Sequence, residues 1–213
     1  MPELDRLRSG FARFLMLFLW LHVPLIGGVA MAVGRDPVAP AIFTAVMAMT
    51  FHLTWWRRGL SPVSGYVSAV ALMAQPALLV YLLAGHAWQM DMHMYFFAGL
   101  ALLIGWCAWR VIVVAAAAIA IHHLTLNFIL PTAIFPAGAD LQRVYLHAGI
   151  VVLQTGVLVW LSNTLATSFR RIEAMSAEIL RSNETLELKV EERTQEARAA
   201  NVAKSLFLAN MSH

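Results

Sequence analysis

Residues 144–166 read VYLHAGIVVLQTGVLVWLSNTLA, and residues 167–200 continue TSFRRIEAMSAEILRSNETLELKVEERTQEARAA. The first block is an apolar run of the length a bilayer's hydrocarbon core requires; the second is rich in Glu and Arg. Nothing between them breaks a helix, so the expectation is one helix that leaves a membrane and continues in water. In the charged block Ile172, Ile179 and Leu186 recur every seven residues, with Ser176, Asn183, Val190 and Ala197 at the companion positions. That spacing predicts a coiled-coil seam with polar breaks, Asn183 fixing register at some cost in stability. A single amphipathic helix lying on the membrane surface fits less well, because the outward faces are rich in acids.

Working back towards the N-terminus, five more apolar runs precede this one, at about 14–33, 38–56, 63–84, 92–108 and 110–131. With 60% hydrophobic and 13% charged residues and a mean hydropathy of +0.69, the chain falls outside the soluble class. Backbone groups in hydrocarbon must be satisfied within their own segment, and no alternating pattern competes, so the runs are read as helices. The fold class expected is all-α: an integral membrane six-helix bundle (1–166), then a long cytoplasmic coiled-coil signalling helix (167–200), then residues 201–213. Only Trp109 and Arg110 separate the fourth and fifth runs, and one bent or re-entrant element there would change the count. Residues 2–14, with Leu4, Leu7 and Phe11 at helical spacing, read either as an interfacial segment or as a frayed lead-in to the first span. The first run is long and lacks a small-residue cleavage site, so it is read as retained, not as a signal peptide. Pro24 and Pro76 fall inside runs one and three and predict kinks.

With six spans, Arg6, Arg8, Arg13, Arg57, Arg58, Arg110, Arg170 and Arg171 fall on one side, leaving Arg35 and Arg143 with Asp36, Asp91 and Asp140 on the other. The positive side faces the cytoplasm, so both termini are expected there, in a bacterial inner membrane. Trp55, Trp56, Trp106 and Trp109 would form an aromatic belt at that face. The net charge of +3 comes from arginines flanking apolar runs, which argues against nucleic acid as a partner. Cys107 is the only cysteine, so an intrachain disulfide is excluded.

The chain closes on residues 200–213, ANVAKSLFLANMSH, after VEERT at 190–194. Together these resemble the entry to the dimerisation and phospho-acceptor domain of sensor histidine kinases, whose segment runs VEERT…L…AN.AKS.FLANMSHE. The resemblance implies that His213 is the phosphorylated histidine, that the chain forms a parallel homodimer through its stalk, and that the phosphoryl group passes on to a response regulator or receiver domain. A neutral imidazole near pH 7 offers a lone pair to the terminal phosphorus of ATP. The acid that follows the histidine in the family, and the ATP-binding domain, are expected in a part of the protein outside this sequence; these residues alone should be catalytically silent.

Ionisable side chains in hydrocarbon are costly, so each is a functional candidate. The membrane part holds His22, His52, His86, His93, His122, His123 and His147. Asp91-Met92-His93 with Tyr95-Phe96-Phe97, then Trp109-Arg110, then His122-His123-Leu124 with Asn127, is similar to E.H.HFF…DWR…HHL..N in membrane regions of some bacterial chemoreceptors. Tyr95 stands at the second histidine of that pattern and Ala108 at its acid. Three readings stay open. One is a metal or haem site built from His93, His123, His147 and Asp91 near Met90, Met92 and Met94: imidazole with thioether suits copper, imidazole with carboxylate suits zinc, two facing imidazoles suit haem. Adjacent His122 and His123 point about 100° apart on a helix, so one is expected to reach a shared centre, and His123 is favoured because Asn127 lies on its face. The second is a proton- or quinone-responsive relay; the third is interhelical hydrogen-bond glue. Rivals to a kinase are a chemoreceptor-like transducer and a small transporter or proton channel, neither of which accounts for the closing motif.

Overall fold

The computed structural model describes residues 3–211, the side chains of 209 and 210 excepted; His213 therefore lies outside the described residues. Among these the chain is helical throughout, with no strand. Six α-helices run Glu3–Ala32 (α1), Val38–Arg58 (α2), Pro62–Leu82 (α3), Met94–Leu102 (α4), Trp109–Ile129 (α5) and Leu141–Met211 (α6). Short 3-10 turns occupy Ala87–Gln89, Asp91–His93, Leu103–Trp106 and Pro131–Ala133. The chain divides into two units, one ending at Ser168 and the other beginning at Phe169, with α6 contributing to both.

Five of the described helices, α1, α2, α3, α5 and α6, are long and apolar enough to cross a membrane. They also expose apolar side chains that water would not favour: Leu17, Leu21 and Leu25 on α1, Ile42, Val46 and Met49 on α2, Ile121, Leu124 and Phe128 on α5. Residues 3–14 are not a separate surface segment; they form the first turns of α1, and Pro24 lies within that same helix.

The first unit is built round α3, the most buried of the long helices. Ser61 caps it by accepting from the Ser64 amide at 3.3 Å, with Pro62 in the first turn, where a missing N–H costs nothing. Its faces carry Gly65, Ser68, Ala69 and Ala71, small residues that let neighbouring backbones approach. A Cβ on Gly65 would stand 2.7 Å from a Val111 methyl on α5. The indole N–H of Trp106 donates to the Ser68 hydroxyl at 3.0 Å, which donates to the Gly65 carbonyl at 2.8 Å. Trp106 is thus a core residue, not a member of the expected aromatic belt; Trp56 and Trp109 are exposed.

The fourth apolar run differs from the expected long helix. It is a composite in which α4 has only 9 residues, entered by the turn Asp91–His93 and left by the turn Leu103–Trp106. The chain then reverses through Cys107, in the left-handed region at φ 45°. Arg8 stabilises this break: Nε donates to the Trp106 carbonyl at 2.8 Å and Nη2 to the Cys107 carbonyl at 3.1 Å. The same contacts put the start of α1 and the α4–α5 connection at one end of the unit. At the other end Arg35, after α1, donates to the Ala84 carbonyl, after α3, at 3.4 Å.

Gly105 lets Phe11 pack against this break, because a Cβ there would sit 2.4–2.7 Å from the ring of Phe11. Gly105→Ala is expected to cost about 1–3 kcal/mol through overpacking. In detergent, Gly105→Ala should unfold at lower temperature than the parent protein, and adding Phe11→Leu should recover part of the loss. An unchanged unfolding temperature for the single variant would contradict this packing.

Candidate functional site

Three of the histidines expected to share a centre are brought together at the Arg35 end of the first unit. His93 comes from the turn before α4, His123 from the last third of α5 and His147 from the second turn of α6. Their ring centroids form a triangle: 5.5 Å from His93 to His123, 5.7 Å from His93 to His147 and 6.1 Å from His123 to His147. Phe135 stacks on His93 with centroids 5.8 Å apart and planes 7° off parallel. His122 lies against His123 at 5.0 Å and against Phe96 at 5.6 Å, but does not line the cavity described below.

Each ring spends one nitrogen on its own turn of backbone. Nδ1 of His93 donates to the Gln89 carbonyl (3.1 Å), Nδ1 of His123 to Ile119 (2.9 Å) and Nδ1 of His147 to Arg143 (2.9 Å). A carbonyl only accepts, so in all three neutral rings the proton is on Nδ1 and Nε2 carries a lone pair. His93 and His123 are 2% and 5% exposed, and the Nε2 atoms of both have no hydrogen-bond partner in the protein.

The three rings line one end of a cavity of about 440 Å³ between α4, α5 and α6. The rest of its wall is almost wholly apolar: Phe96 and Phe97, the alanines 116, 117 and 120, Val144 and Val151. The alanine run of α5 explains the space, because a helix face without long side chains cannot fill the gap to α6. The part of α6 within this unit buries Val144, Val151, Leu158 and Ser162. Gln154 fastens it to α4 by donating to the Phe97 carbonyl at 2.9 Å.

Asp91 is exposed at the head of its turn and does not line the cavity. Asn127 is not a partner of His123: its carbonyl oxygen accepts from the Asp140 amide at 2.9 Å, holding the loop before α6. Asp140 in turn accepts from the Arg143 amide at 2.9 Å and so caps that helix. Met90 packs on the Ile134–Phe135–Val144 cluster, and Met94 is exposed. His22 pairs with Tyr95, the residue at the second histidine of the chemoreceptor pattern. Its Nδ1 donates to the Phe18 carbonyl at 2.7 Å, so its Nε2 accepts from the Tyr95 hydroxyl. His52 accepts from the Trp20 indole at 3.3 Å, and His86 from the Trp88 amide at 3.1 Å. His22 and His52 follow the interhelical glue reading, whereas His86 only caps its own turn. Among the described residues no group of three or more His, Cys, Asp or Glu side chains is close enough as it stands to hold a metal ion.

Sequence reasoning missed Phe135 and Gln89. Phe135 sits in what reads as a plain loop. Gln89 is fully buried between two loops, its oxygen accepting from the Gly85 amide (3.2 Å) and its nitrogen donating to the Thr132 carbonyl (2.9 Å). No family model matches the chain, and neither a curated protein nor a solved structure matches it.

Gln89→Leu keeps the volume and strips both bonds, leaving a buried donor and acceptor unmet at about 1–3 kcal/mol each. Amide exchange in residues 83–93 and 130–135 should accelerate while α3 stays protected. Unchanged exchange in both loops would mean that Gln89 does not hold them together.

Proposed function

We propose that the chain is the sensing and transmitting part of a dimeric membrane histidine kinase, coupling a signal in the first unit to ATP-dependent phosphorylation of His213. The reading rests on one sequence observation, the ungapped run from VEERT at 190–194 to the histidine of ANMSH at 213. The continuity of α6 supports it: a single helix runs from Leu141, beside the histidine cavity, to Met211, two residues before His213.

In this reading the first unit crosses the bilayer six times. The composite Asp91–Trp106 makes the fourth crossing: 16 residues at a rise of about 1.5–2 Å span roughly 24–32 Å, comparable to the hydrocarbon core. The contacts of Arg8 and Arg35 agree with alternating crossings, since they group the loops as six passes require. The Arg8 end, with Arg57, Arg58 and Arg110, is then cytoplasmic, and the histidine cavity lies towards the outer face.

Beyond Phe169 the seam residues Ile172, Ile179, Leu186 and Val190 are all more than half exposed on the single chain. A second copy packed in parallel covers them, with Asn183 opposite Asn183. Ile179→Cys should therefore give a disulfide-linked dimer in membranes under mild oxidation, and Arg181→Cys, off the seam, much less. Equal crosslinking at both positions would exclude a parallel seam.

Native membranes incubated with ATP labelled at the γ-phosphate should incorporate acid-labile label into the parent protein and none into His213→Gln. The label should then pass to an aspartate on a receiver domain. Undiminished labelling of His213→Gln would end the kinase reading.

A further inference from the structure

We infer that the cavity between α4, α5 and α6 binds a membrane-soluble quinol and prefers it to the corresponding quinone. The cavity, of about 440 Å³, is lined by Ala116, Ala117 and Ala120 on α5 and by Phe96 and Phe97 on α4. Bare methyl groups and aromatic rings together suit a flat ring. Val113, Leu124, Tyr145 and Val152 line the cavity and are also exposed on the outside of the unit. Where these helices cross a bilayer, that flank opens to hydrocarbon, and the occupant comes from the lipid phase.

Polar atoms without partners fix the ligand's chemistry. The Nδ1–H groups of His93 and His123 are spent on backbone, which leaves each Nε2 a buried acceptor with no hydrogen bond in the protein. Thr155 is a third such group in the wall, its hydroxyl buried and unbonded. Thr164, Thr185 and Thr194 of the same helix instead donate to the carbonyl four residues back. Buried polar groups left unmet cost free energy, so a ligand that satisfies them is favoured. Thr155 follows His147, which lines the histidine end, by eight residues, or about 12 Å along α6. A para-hydroquinone with a hydrogen bond of about 2.8 Å at each hydroxyl spans roughly 11 Å.

The oxidation state follows from the donors. A quinone carries two carbonyl oxygens, which only accept, and the histidine end offers lone pairs. A quinol donates there, and its second hydroxyl either donates to Thr155 or accepts from it. One O–H serves one imidazole, and the two rings, with centroids 5.5 Å apart, offer it alternative acceptors. An anionic headgroup fits less well: no lysine or arginine lines the cavity, and Arg143 is ion-paired with Asp140 at 3.5 Å.

This inference does not depend on the kinase reading. The full chain in lipid nanodiscs is titrated with decylubiquinol under argon or with decylubiquinone in air, and bound ligand is counted by native mass spectrometry. One quinol per chain is expected, held about tenfold more tightly than the quinone. Replacing both acceptors, His93→Phe with His123→Phe, should erase that preference. Ala117→Leu keeps every polar atom but fills the cavity, and should weaken both forms about tenfold or more. His86→Ala, altered in a loop, should match the parent. Absence of bound quinol, equal affinity for the two forms, a preference that survives in the double variant, or quinol binding undiminished in Ala117→Leu would each overturn the assignment.

Discussion

A histidine packed among apolar helices has two polar nitrogens and little water to satisfy them. Here the first goes to the carbonyl four residues earlier, and His22, His93, His123 and His147 all use that solution. The bond is local, so it forms as the helix forms and fixes the tautomer before any tertiary contact is made. What then distinguishes the four is the partner of the second nitrogen. For His22 it is the Tyr95 hydroxyl, and α1 is joined to α4. For His93 and His123 the protein supplies none. The same local rule thus produces an interhelical fastening in one place and a set of available acceptors in another.

Close packing elsewhere makes that second arrangement tolerable. Apolar side chains gain little by leaving lipid for protein, so helices associate where small residues allow intimate contact. Gly65 against Val111, Gly99 against Met73 and Gly105 against Phe11 are such places, all involving α3 or the composite element beside it. Around α3 the interior is therefore filled. Towards the apolar part of α6 the alanine run of α5 leaves the cavity instead, and Gln154 and a few buried apolar residues hold the helix. The unit is tight on one side and loose on the other, and the histidines lie on the loose side.

Much of this was legible in the residues, for identifiable reasons. The long helices announced themselves by apolar length, and their bounds agree with the runs to within a few residues, the first being longer by its lead-in. His93, His123 and His147 were found because ionisable groups in apolar runs are rare and each marks a place. The fourth run was harder: composition says that Asp91–Trp106 is apolar but not that it winds partly as 3-10 turns and ends at a left-handed Cys107. That ending depends on Arg8, about a hundred residues away, and periodicity carries no such signal. Trp106 was misplaced for the same reason, since its partner Ser68 lies on another helix. Asn127 shares a face with His123, yet its amide serves the Asp140 backbone, because a loop amide at a buried corner is the more demanding neighbour. His213 is known from sequence alone.

The position of His147 gives the loose side its interest. It sits in the second turn of α6, and α6 remains one helix as far as Met211. Backbone hydrogen bonds make a helix stiff along its axis, so a shift or rotation imposed near its start is carried forward until something absorbs it. In the proposed dimer, the seam beyond Phe169 is a poor absorber and a good discriminator. Ile and Leu on it favour close packing, while Ser176 and Asn183 weaken that packing without abolishing it, so two arrangements of a paired stalk would differ by little free energy. Between packings so nearly balanced, a small bias from the first unit would decide which is populated in the proposed dimer.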